Sequence, residues 1–72
     1  MIFRVIARTK YGDPTTDILR EFPDFKEARA FIEGLGFQEI ENTGAVFYFG
    51  LPFEDERGKK SHMAGYILEV KQ

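Results

Sequence analysis

The residue types that could carry out chemistry gather in one charged stretch between Glu54 and His62. Gly58, Lys59, Lys60 and Ser61 match the last positions of a phosphate-binding loop, where glycine amides and a lysine cradle oxyanions. That loop also requires a glycine five residues before Gly58, where Phe53 stands, and a helix after it, where the sequence alternates as a strand. A solvated hairpin loop is the expected reading. His62 is the only histidine, and beside Asp55 or Glu56 its imidazole has the chemistry of a general base. No cysteine is present as a nucleophile, and Ser61 is merely its neighbour in sequence. Glu54, Asp55 and Glu56 lack the spaced oxygens and glycine turn of a calcium loop. Asp13, Asp17 and Glu21 read as turn and edge-strand polarity. The expectation is a chain that is not an enzyme, with no catalytic residue, no metal site and no cofactor.

Binding is the next class of chemistry. Phe47, Tyr48 and Phe49, with Arg4 and Arg8 on another strand, suggest a sheet face on which single-stranded bases stack. Strand alternation sends Phe47 and Phe49 to one side and leaves Tyr48 alone on the other, which thins that signal. Ten basic and twelve acidic residues give a formal charge of −2, neither the footprint of a duplex-binding protein nor the excess of a nucleic-acid mimic. The absence of cysteine fits a reducing compartment, and the cytoplasm is the expected location. No apolar run approaches the roughly twenty residues of a membrane helix, and the N-terminus reads as a strand containing Arg4 and Arg8, so no targeting or spanning segment is expected.

The elements that must position these groups belong to one small domain, residues 1–72. Hydrophobic residues at 43 % and eight phenylalanines can supply a core. Asp24, just past Pro23, with Glu27 three residues on, forms a capping-box signature. Phe25, Ala28, Phe31, Ile32 and Leu35 then recur on one helical face, and Gly34 and Gly36 end the helix after about three turns. Residues 2–9 predict a central strand, a turn is expected at Tyr11, Gly12, Asp13 and Pro14, and residues 17–22 predict an edge strand. Residues 37–41, a turn at Asn42, Thr43 and Gly44, and residues 45–51 predict a hairpin, which Pro52 ends. A loop is expected over Glu54–His62, and residues 64–71 predict the last strand, with Tyr66, Leu68 and Val70 opposite Ile67, Glu69 and Lys71.

The expected fold is α+β: a two-layer α/β sandwich, β-β-α-β-β-β, with one helix packed on a mainly antiparallel sheet. Its predicted core is Phe3, Val5, Phe25, Phe31, Ile32, Phe47, Phe49 and Leu68. A single helix covers one sheet face. The opposite parity places Ile2, Ile6, Val46, Tyr48 and Ile67 in the open, rimmed by Arg4, Arg8, Glu69 and Lys71. A contiguous apolar patch of this kind marks an association surface. Ile2, Arg4, Ile6, Arg8, Val46, Tyr48 and Ile67 are therefore the candidate partner-binding residues. The function expected is a small non-enzymatic regulator or inhibitor that binds a protein partner or a second copy of itself, of the size common among phage and mobile-element products; a single-stranded nucleic-acid module is the alternative.

Overall fold

The computed structural model describes residues 1–10 and 13–70. The expected turn residues Tyr11 and Gly12, and Lys71 at the rim of the patch, lie outside the described residues. The chain forms a small α+β fold of one helix and a five-stranded antiparallel sheet. Its elements are β1 (Ile2–Ala7), a 3-10 turn (Pro14–Thr16), β2 (Ile18–Phe22), α1 (Phe25–Gly34), β3 (Gln38–Asn42), β4 (Val46–Glu54) and β5 (Lys60–Val70). In space the strands run β2-β1-β5-β4-β3. The last strand in sequence is therefore the middle strand of the sheet, joined to β1 and β4 on either side.

Local chemistry fixes both ends of α1. Asp24, in extended backbone, accepts a hydrogen bond from the Glu27 amide at 2.8 Å, which satisfies one of the free donors of the first turn. Among the described residues Glu27 makes no return bond, so half of the capping box forms. At the other end the Phe37 amide donates to the Ile32 carbonyl and the Gly36 amide to that of Glu33, with Gly36 at φ 98°. This is a Schellman cap, and its left-handed residue favours glycine. Phe37 then folds back beside Ile32, and both are buried.

The core consists of Val5, Ala7, Ala28, Ile32, Phe37, Phe49 and Ile67, with Phe3, Ile18, Phe22, Phe25, Phe31, Phe47 and Leu51 packed around it. The phenylalanine rings join helix to sheet: Phe25 lies 4.3 Å from Phe47 and 5.7 Å from Phe3, centre to centre, and Phe31 lies 5.3 Å from Phe22. Val5 and Phe47 both stand opposite Ile67 across the ladders, so these three share the helix-side face.

This register corrects the expected parity of β5. Ile67 is fully buried under the helix and is no part of an open surface, whereas Leu68, assigned to the core, pairs with Arg4 and Val46 on the other side. Glu69, opposite Phe3, likewise lies on the helix-side parity. Both parities of β5 are apolar, as befits a central strand, so alternation alone could not choose between them. Space makes the choice. A Cβ at Gly65 would stand 2.9 Å from the Phe37 ring and 3.0 Å from Ile32 Cδ1, so the track holding Gly65 and Ile67 is the one that admits the helix and its cap.

The stretch expected as a loop is also mostly strand. β4 continues through Pro52 to Glu54, and β5 begins at Lys60. The last pair between β3 and β4 is Gln38 with Gly50. Pro52 thus lies where β4 has no β3 partner, and its missing amide hydrogen costs no ladder bond there. Only Asp55–Lys59 forms the turn: Gly58, at φ 77°, donates to the Asp55 carbonyl, and Asp55 donates to that of Lys59. The Asp55 carboxylate accepts from the amides of Arg57 and Lys59. That arrangement is a type I turn with a glycine bulge, which keeps the strands in register to the tip. The hairpin extends past the ends of β1 and β3 as a two-stranded arm. It contributes to a radius of gyration of 12.5 Å, against about 11 Å for a compact chain of this length.

Candidate functional site: the open face of the sheet

Residues opposite the buried row form a surface of their own. Leu19, Ile6, Tyr66, Tyr48 and Glu41 follow one another across all five strands. A second row is Glu21, Arg4, Leu68 and Val46, and a third pairs Ile2 with Val70. The Tyr48 and Tyr66 rings meet edge to face at 5.4 Å, a favourable arrangement of aromatic quadrupoles. Most of these apolar side chains are half-exposed, and Leu19 is 63 % exposed.

The charges on this face are paired within the chain. Both Nε and Nη2 of Arg4 donate to Glu21 Oε2, at 3.1 and 2.8 Å. Arg8 reaches both oxygens of Asp17, Nε to Oδ1 at 3.0 Å and Nη2 to Oδ2 at 3.4 Å. The hydrogen bond that Arg8 donates to Asp17, and then the Asp17 charge, raise the Arg8 pKa above its ordinary value, so this guanidinium stays a cation throughout the working pH range. These exposed pairs contribute little stability, but they fix the arginines over the strands and cancel their charge.

Six of the seven candidate residues, Ile2, Arg4, Ile6, Arg8, Val46 and Tyr48, come together here, and Ile67 does not. Sequence reasoning missed Leu19, Ile40, Tyr66, Leu68 and Val70. Once Gly65 is recognised as the close-packing position, Tyr66, Leu68 and Val70 follow by alternation. Ile40 is displaced by an irregularity in the β3–β4 register between Glu39 and Glu41, which puts it beside Glu41 instead of on the opposite side. A Cβ at Gly50 would lie 2.6 Å from Ile40 Cδ1 and 3.2 Å from His62 Cδ2, so both side chains converge over the bare backbone of Gly50.

Where the face meets the hairpin arm, Ile6, Arg8, Asp17, His62, Ala64 and Tyr66 line a cleft of about 280 Å³. Its polar side chains are the closed Arg8–Asp17 pair, the His62 imidazole and the Tyr66 phenol. Ser61 pairs with Phe53 and His62 with Pro52 in adjacent register positions, so their side chains leave opposite faces of the arm and cannot act as a nucleophile and its base. Lys60 and Ser61, following Lys59, begin a strand, so no helix N-terminus follows Gly58 to hold a phosphate. Asp55 is engaged in its own turn, and among the described residues no group of three or more His, Cys, Asp or Glu side chains is placed to hold a metal ion. Among those residues, no helix is long and apolar enough to cross a membrane.

No protein-family model matches the chain, and no curated protein or solved structure matches it.

Proposed function

We propose that this protein is a small non-enzymatic binding protein, a regulator of the inhibitor type, that works by protein–protein contact through the open face of its sheet. In this reading the fold is a two-layer α/β sandwich, β-β-α-β-β-β, whose second sheet face is kept free for a partner. It acts in the cytoplasm without metal or cofactor, as accessory proteins of phage and mobile elements commonly do. The observation that carries the reading is the apolar band Leu19–Ile6–Tyr66–Tyr48, flanked by arginines whose charge is already neutralised. A protein partner buries such a surface without stranding a charge.

One observation favours single-stranded nucleic acid instead. The Tyr48–Tyr66 pair sits on the middle strand β5 and its neighbour β4, with Arg4 and Arg8 on the β1 side, where bases could stack. The closed salt bridges and the net charge of −2 weigh against it, because backbone phosphates would have to compete with Glu21 and Asp17. Two measurements decide between the readings. Charged substitutions at Ile6 and Tyr48 together are expected to abolish capture of a protein partner while thermal unfolding stays cooperative. Titration with single-stranded oligonucleotides at low salt is expected to show no binding; salt-sensitive binding lost on Tyr48→Ala would replace the protein reading with the nucleic-acid one.

A further inference from the structure

We infer that the occupant of the open face is a second copy of this chain, stacked face to face about a two-fold axis along β5. The inference rests on the open-face reading and adds the identity of the partner. Four observations point to it.

The first is the balance between buried and exposed apolar groups. Among the described residues seven side chains are fully buried and seven more hydrophobics pack against them, while as many as eight, Ile2, Ile6, Leu19, Val46, Tyr48, Tyr66, Leu68 and Val70, lie on the uncovered side. A chain of 72 residues is near the size at which one core barely sustains a fold, and a second sheet about 10 Å away completes another core from the same residues.

Area is the second. Five strands at about 4.8 Å and a length of about 20 Å give a footprint of roughly 500 Å², before the arm is added. The corrugated accessible surface of such a face approaches the roughly 800 Å² per partner typical of stable dimers.

Third, the β2 and β3 edges and the β4 edge of the arm are poor templates for another strand. β2 has five residues and carries the charged Arg20 and Glu21. β3 carries Glu39 and Glu41 around its irregularity, and the free β4 edge of the arm holds Pro52. Short, charged or proline-bearing edges resist strand-to-strand pairing, so association is directed to the face.

Electrostatics is the fourth. In an isologous contact each patch meets itself, and a patch of one net charge would repel its copy. Here Arg4 and Arg8 are neutralised by Glu21 and Asp17. The central position of β5 puts Tyr66 and Leu68 on the axis against their mates. The same rotation brings β3, with Glu41, over the β1–β2 half that carries the arginines, which places a carboxylate beside the cations. The assembly would have four layers, helix-sheet-sheet-helix.

The test is sedimentation equilibrium of the untagged protein from about 1 to 200 μM, a span that brackets dimers of micromolar strength. The expected mass is twice the 8.3 kDa of the chain. Leu68→Glu is expected to weaken association at least about a hundredfold while circular dichroism shows a folded monomer. Should that variant unfold, a mixture of carbon-13-labelled and unlabelled wild-type chains supplies the second test: intermolecular nuclear Overhauser effects are expected from the Leu68 methyls to Tyr48 and Tyr66. A wild-type chain that remains monomeric overturns the second-copy inference and leaves the open-face reading to the partner-capture test. A dimer that survives folded Leu68→Glu, or whose intermolecular contacts come from α1 or the arm tip, overturns the face-to-face arrangement.

Discussion

The two faces of this sheet are built from nearly the same kinds of side chain and end up in different environments. On the helix side, Val5, Ile67 and Phe47 form a cross-strand row in which Val5 and Ile67 are fully buried. One residue along, Ile6, Tyr66 and Tyr48 form the equivalent row on the other side and stay half-exposed. The faces differ in two respects. One is covered by α1 and is relieved by glycine where the cap of that helix presses in. The other carries arginine–carboxylate pairs at its rim and tyrosines in place of phenylalanines, so it tolerates water. Hydrophobicity therefore marks both faces as places for packing, and only the polar detail tells a permanent contact from an optional one.

The largest effect that tests this contrast is expected at two adjacent residues. Ile67→Ala removes a buried side chain and should cost about 2–5 kcal/mol, enough to unfold much of the population near 37 °C. Leu68→Ala, measured where the chain is monomeric, should cost less than about 1 kcal/mol, because the side chain is already in contact with water. Denaturant midpoints of the two variants provide the check, and equal losses would erase the distinction between the faces.

An intermediate effect is expected from two glycines, one on each face. At Gly65 an added methyl meets the Phe37 ring at 2.9 Å and Ile32 at 3.0 Å, both in the core, and Gly65→Ala should cost about 1–3 kcal/mol. At Gly50 the nearest atom, at 2.6 Å, is the far end of the exposed Ile40 side chain, which can swing away. Gly50→Ala should therefore lie within about 0.5 kcal/mol of wild type, since the strand also gains from losing a glycine. Thermal unfolding of the pair is sufficient to read the difference.

The smallest effect lies off both faces. The Asp13 carboxylate accepts hydrogen bonds from the Thr15 hydroxyl and the Thr15 amide, and these hold its pKa below the ordinary 3.8. A depressed carboxyl pKa means that the contribution to stability is complete above the unfolded value and is lost as pH falls through the folded one. Wild type should therefore show an Asp13 titration midpoint below 3.8 by carbon-13 NMR, and Thr15→Ala should move it upward.

Local sequence determined a good deal of this molecule. Asp24 and Gly36 bound the helix because a carboxylate cap and a left-handed glycine act within a few residues. The apolar stripe Phe25, Ala28, Phe31, Ile32 and Leu35 specifies which side of that helix seeks a core; the first four pack into it, whereas Leu35, at the C-cap, is exposed. The parity of β1 and of the first half of β4 was legible as well, since Arg4 and Arg8 mark the side of β1 opposite Phe3, Val5 and Ala7, and Tyr48 the side of β4 opposite Phe47 and Phe49. The arm was not legible, because Pro52 and the charged run 54–60 carry the usual signals of a strand end; Pro52, Glu54 and Lys60 persist as strand where one edge has no neighbour to lose, and the turn is confined to Asp55–Lys59. Nor was the face of β5, for which Ile67 and Leu68 are equally hydrophobic. Tertiary structure decided it through volume: Phe37 and Ile32 need the space left by Gly65, and one-residue alternation then sends Ile67 into the core and Leu68 to the open surface.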